Sequence, residues 1–167
     1  MNVAAVKDQL VLIEAGRDLA GLVPAVVGIA GVNRAYAQAP SQIPDADMPL
    51  FMNFAGATME FVSLGGDLYR EKRVFLARLY VARAQQGIDG EAEAKVEPFF
   101  PLAQQQFLSH SSLGTGNEDE LIVGISALEY LGDGGTQILV YQQEQFIGIE
   151  FRLAVTEIVE VPRAAYD

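Results

Sequence analysis

The sequence predicts an α+β domain: an antiparallel β-sheet with helices packed on one face. Three patterns carry this. Val3, Val6, Leu10 and Ile13 recur at spacings of three and four, one stripe of an amphipathic helix. Phe75, Ala77, Leu79 and Val81 alternate with Val74, Leu76, Arg78 and Tyr80, a period of two. Ile147, Ile149, Phe151, Leu153 and Val155 repeat that period with small or polar residues between them. Helices early and in the middle, with strands in ladders between, is the order of an α+β fold. A length of 167 residues, 50% of them hydrophobic, suits one domain spanning 1–167.

Along the first helix, Lys7, Asp8, Glu14 and Arg17 fall off the apolar stripe. Gly21 and Pro24 predict a break and a short second helix, which Gly28 and Gly31 end. Val32 to Ala37 reads as a short strand. Pro40, Pro44 and Pro49 bracket a stiff loop. Leu50–Phe54 and Thr58–Val62 read as strand pieces around Gly56, and Gly65-Gly66-Asp67 as a turn. In the long strand that follows, the wholly apolar set faces the core, and the mixed set of Val74, Leu76, Arg78 and Tyr80 faces solvent or a partner.

Asp89 can cap a helix that carries Glu91 and Glu93 in its first turn. Its buried face is Ala92, Val96, Phe99, Ala103 and Phe107. Pro98 and Pro101 predict a kink or two segments, and Gly114 and Gly116 the end. Leu121–Leu131 and Thr136–Tyr141, joined through Gly132 to Gly135, are the expected partners of the last strand.

Charge is distributed unevenly. Residues 1–83 hold eight basic and eight acidic residues; residues 84–167 hold Lys95, Arg152 and Arg163 against fourteen acids, so the whole net charge of −11 lies in the second half. Arg70, Lys72, Arg73, Arg78 and Arg83 form one basic strip, the candidate subunit interface. A basic strip and an acidic half can attract copies head to tail, and such contacts close into rings. The acidic balance argues against nucleic acid and against an anionic membrane surface as partners. Leu19–Asn33 imitates a signal-peptide core, but Asp8, Glu14 and Asp18 precede it and it is too short for a membrane span. A cytosolic product is expected.

The chemistry of a catalytic or metal site is sparse. There is no cysteine, so neither disulfides nor thiolate metal sites arise. His110 stands between Ser109 and Ser111, but adjacent helical residues do not face each other; a surface histidine at a helix end is expected. Asp45-Ala46-Asp47 and Glu118-Asp119-Glu120 lack calcium-loop spacing and read as solvated carboxylates. Gly114-Thr115-Gly116 lacks the rest of a dinucleotide or phosphate loop. Glu93 and Glu97 share a helix face at i,i+4 and read as solvated. The expectation is no enzyme, no cofactor and no required metal.

The order of segments resembles the lambda-type tail-terminator family of long-tailed, non-contractile bacteriophages and phage-like particles. The residues that carry it are Gly31–Tyr36, Ile43–Pro49, Tyr69–Val81, Gly90–Phe99 and Phe146–Leu153. The loop at Asn117–Glu120 and the Gln142–Gln145 insert have no counterpart in the family pattern. The resemblance implies a small α+β subunit of a hexameric ring. That ring would cap the head-proximal end of the tail tube, stop tube growth and join the tail to a head connector or neck protein. It implies a virion location after assembly in the host cytoplasm, with neither catalysis nor a cofactor. The alternatives are another neck component, such as a head-completion or adaptor subunit, or a small cytosolic protein-binding module.

Overall fold

A computed structural model describes residues 1–16, 28–84, 88, 90–110, 124–130 and 135–160, with backbone alone for 124–130 and 159. The expected break at Gly21 and Pro24, the Asp89 cap, the stop at Gly114 and Gly116, the acidic loop 117–120 and most of the Gly132–Gly135 joint lie outside the described residues.

Among the described residues, three α-helices and six strands run in the order α1 (Val3–Ala15), β1 (Arg34–Tyr36), β2 (Leu50–Gly65), β3 (Leu68–Arg83), α2 (Gly90–Val96), α3 (Phe99–Ser109), β4 (Gly124–Tyr130), β5 (Gln137–Tyr141) and β6 (Glu144–Glu160). The α+β class is as the sequence predicts. The sheet order is β1-β2-β3-β6-β4, with β5 also on β6. One expectation needs correction: the sheet is mixed, because β1 runs parallel to β2 with Arg34 opposite Leu50. The proline-bracketed loop carries the chain back to the start of β2, the crossover that a parallel pair requires. All other pairs are antiparallel.

Asn2 caps α1, its Oδ1 accepting from Ala5 N–H at 3.2 Å. Gly16 ends the helix in the left-handed region, its N–H bonded to Leu12 O. The sequence reading of α2 and α3 holds: Glu97 and Pro98 separate two segments, and Pro101 falls in the first turn of α3, where an N–H has no helical partner to lose. Ala92, Val96, Phe99, Ala103 and Phe107 are all buried.

β2 is one strand, not two pieces. It absorbs Gly56 through register shifts between Ala55 and Thr58, Thr58 and Glu60, and Ser63 and Gly65. The β2–β3 turn needs glycine, since Gly65 and Gly66 both have positive φ. The β5–β6 turn uses Gln142 and Gln143 at φ 46° and 69°, the backbone of a two-residue hairpin whose twist matches its strands. This is the conformation of the Gln142–Gln145 insert.

The helices cover one face of the sheet. Val6, Leu10 and Ile13 of α1 and Val96, Phe99, Ala103 and Phe107 of α2 and α3 meet Phe51, Phe75, Leu79, Ile149, Phe151 and Leu153 in one buried cluster, as the strand phase predicts. On the opposite face a second cluster forms at one end only, from Ile43 of the proline loop with Leu50, Met52, Tyr80, Leu139 and Phe146. Tyr80 and Val74 therefore correct the reading of the mixed set: Tyr80 is fully buried and Val74 only 6% exposed. The proline loop folds over that end, where Tyr141 O–H donates to Pro40 O. Gly148 lies opposite Tyr80, where a Cβ would run into the Leu79 carbonyl.

Candidate subunit interface

The long strands outrun the helix layer. β2 is buried from Leu50 to Asn53 and then partly or fully exposed to its end. Beyond that point β2, β3 and the end of β6 continue together, with Val62 opposite Arg70, Tyr69 opposite Val159 and Leu68 opposite Glu160. This three-stranded blade bares Met59, Phe61, Val62, Leu64 and Leu68, at 54, 55, 41, 48 and 37% exposure. Phe61 and Tyr69 stack across the hairpin with ring centroids 5.1 Å apart. Exposed apolar side chains grouped in adjoining strands make this blade the candidate interaction surface. The sequence reading missed it, because the bulges around Gly56 break the alternation and put apolar residues on both faces. The available signal was Met59-Glu60-Phe61-Val62-Ser63-Leu64, too apolar for a solvated hairpin.

The five basic candidates sit along β3, and most are answered within the chain. Arg70 bonds Glu60 across the hairpin. Arg73 donates to Thr58 Oγ1 at 2.8 Å and lies 3.3 Å from Glu71 Oε1. Arg78 bonds Glu150 on β6 and covers the Phe54 ring at 5.1 Å. Burial opposes its charge, but the bond to Glu150 outweighs this and the guanidinium is held above its ordinary range. Arg83 bridges Asp45 at 2.5 Å and Glu144 at 2.8 Å and donates to Ile43 O at 3.2 Å, tying the proline loop to the β5–β6 hairpin. Bonds to Asp45 and then Glu144 raise its pKa. Lys72 alone of the five makes no ion pair with a described residue.

Asp45-Ala46-Asp47 holds no buried residue, as its solvated reading expects, yet both carboxylates have partners in the chain. Asp45 holds Arg83, and Asp47 accepts from Tyr36 O–H, a bond that raises the phenol's pKa. His110 caps the end of α3 with Nδ1 3.1 Å from Gln106 O. Among the described residues no carboxylate is hydrogen-bonded to it, so none of them orients the ring as a base. Among the described residues no group of three or more His, Asp or Glu could hold a metal ion. EDTA is expected to leave the melting temperature unchanged; a drop that calcium or magnesium restores would reveal a carboxylate site in the segments outside the described residues.

One polar pair lies inside the helix–sheet core. Glu14, off the apolar stripe by sequence, is completely buried beside Asn53, whose Nδ2 donates to Oε2 at 2.7 Å. Glu14 Oε1 and Asn53 Oδ1 have no hydrogen-bond donor. Burial pushes this carboxyl well above the usual carboxylate range, with the Asn53 bond pulling weakly the other way.

No family model matches the chain, and no curated protein matches it significantly. Among the described residues, no helix is long and apolar enough to cross a membrane.

Proposed function

We propose that this chain is the structural subunit of a homo-oligomeric ring of the lambda-type tail-terminator class, which caps the head-proximal end of a phage tail tube, halts its growth and receives the head connector. The blade supports this reading most directly. Five large apolar side chains stand in water on a strand extension that adds nothing to the core, and a neighbouring subunit supplies what would cover them. The segment order from Gly31 to Glu157 supplies the class, and the acidic charge of the second half supplies a surface that repels nucleic acid.

The test is mass by light scattering over a concentration series, with electron microscopy of tail tubes assembled in its presence. A hexamer, alone or with monomer, and tubes that stop at a capped end are the expected results. A strict monomer at high concentration overturns the ring and favours the protein-binding module. A hexamer that leaves tube length unchanged overturns the capping role and favours another neck component.

A further inference from the structure

β5 forms part of the open edge of the sheet, and little in it discourages pairing with another strand. Among the described residues it lies on β6 alone. Its register runs from Gln137 opposite Gly148 to Tyr141 opposite Glu144 without a shift. The sequence Gln137-Ile138-Leu139-Val140-Tyr141 has no charge, no proline and no glycine. Exposed edges are usually blunted by a charge, a proline or a bulge, because a bare edge recruits another strand. β2 and β4 both carry register shifts; β5 is protected only by being short.

The direction of its free groups follows from the hairpin. Residues flanking a two-residue turn exchange both backbone hydrogen bonds, and bonded and unbonded pairs then alternate along the ladder. Tyr141, Leu139 and Gln137 therefore bond inward to β6. Gln145 bears this out: its carbonyl accepts from Ala84 N–H at 2.9 Å, one residue past the end of β3, and so faces away from Val140, its partner in the register. The N–H and C=O groups of Ile138 and Val140 thus point off the sheet. The same two residues bare their side chains, at 39 and 58% exposure, while Leu139 between them is buried on the other face.

This edge is complementary to itself. An antiparallel second β5, related by a two-fold axis at Leu139, sets Ile138 opposite Val140 of the second copy and Val140 opposite its Ile138. Each pair exchanges two bonds, so four bonds satisfy all eight outward groups, and an isoleucine lies against a valine twice. Neighbouring registers do less. A shift by one residue sets outward groups against inward ones. An axis at Val140 sets Ile138 opposite Gln142, which the turn holds at φ 46°. An axis at Ile138 sets Val140 opposite Thr136, outside the strand. A second copy also meets the edge without charge, although the chain carries −11 overall.

We infer that β5 is a two-fold docking edge, to which a second copy of this chain adds its own β5 antiparallel with Leu139 on the axis. The contact is isologous and occupies both β5 edges, so it stops at two copies. Five residues a side make a small interface of the weak, concentration-dependent class. It sits at the start of β6, whereas the blade is built on its end. It is therefore separate from the ring contact, and where rings form it joins two of them.

The chain has no cysteine, so introduced thiols report the register. Ile138→Cys and Val140→Cys chains, mixed and mildly oxidised, should form a disulfide-linked pair, because their Cα atoms would stand about 5.5 Å apart. Each alone should cross-link far less. Val140→Pro removes an outward N–H and no hydrogen bond within the hairpin; with two of the four intermolecular bonds gone, association should weaken at least about tenfold. Val140→Lys, which puts a charge on the edge, should act likewise. Phe61→Ser on the blade should leave the cross-link unchanged. Light scattering reads the mass, and circular dichroism is the folding control. No disulfide in the mixture, or Ile138→Cys linking to itself as readily as the mixture links, overturns this contact. So does cross-linking in the mixture that neither Val140→Pro nor Val140→Lys, each combined with Ile138→Cys, weakens against Val140→Cys. Hexamers seen alongside either result leave the ring reading standing, whereas β5-linked pairs in a chain that never forms hexamers overturn the ring and keep this contact.

Discussion

Replacing Phe151 by Ala lowers the free energy of unfolding by about 3–5 kcal/mol, the range for deleting a buried aromatic ring. Phe151 has no exposed surface and sits where three elements converge. Its ring centroid lies 6.1 Å from Phe51 of β2, 5.8 Å from Phe107 and 6.4 Å from Phe100 of α3. Phe107 in turn meets Phe51 edge-on at 6.2 Å. Truncation therefore removes several ring contacts at once and leaves a void that a β-strand and two flanking elements cannot close cheaply. Denaturant midpoints at unchanged slope measure the loss. Phe61→Ala is the matched control: with its ring largely in water, it should cost the isolated chain no more than about 0.5–1 kcal/mol. Equal losses at the two positions would show that the strand phase of β6 is misassigned.

Glu14→Gln has the second largest expected effect, and its sign depends on pH. The carboxyl's ordinary value lies near 4.5, and burial raises it well above that in the folded chain. Between those two values the folded state holds a proton that the unfolded state has lost. Stability is then full below pH 4.5 and falls as pH rises toward the folded value, by up to about 1.4 kcal/mol per pH unit. A proton on Oε1 would also supply the donor that Asn53 Oδ1 lacks, so that acid and amide bond reciprocally. Glutamine reproduces that exchange without a titrating group. Its variant should lose this pH slope and be more stable than the parent at pH 8, on the order of 1–3 kcal/mol. Glu14→Ala should instead destabilise at every pH, because it strands the Asn53 amide. Urea midpoints from pH 5 to 9 separate the cases; a parent with no slope in that range would mean Glu14 is ionised in the fold.

These two residues also mark what the sequence could and could not say. Phe151 lies in an unbroken period of two, and a period of two fixes which face of a strand is buried; its core position was legible. Glu14 was not, because the helix stripe places it at the margin and only the tertiary neighbour Asn53, 39 residues away, makes burial tolerable. Tyr80 was misread for a related reason: Ile43 and the proline loop close over its end of that face, a contact no local pattern announces. The parallel direction of β1 was equally hidden, since three residues of strand carry no sign of the direction in which they pair. In the candidate interface, charge counting found the strip along β3. It could not tell that Arg70, Arg78 and Arg83 have acids beside them on other strands, because cross-strand neighbours are set by register and register by turns and bulges.

The irregular register of β2 has a consequence for solubility at high concentration. A flat strand with Phe61, Val62 and Leu64 in sequence would template copies of itself, each adding its backbone to the last, and the product would be a cross-β fibre. The three register shifts between Ala55 and Gly65 twist the outer edge so that its N–H and C=O groups no longer present an even row. Side chains can still find a complementary surface, while growth by backbone pairing is interrupted every few residues. The chain can thus keep a greasy projection in water, because attachment through it has to be specific in shape and cannot run on indefinitely.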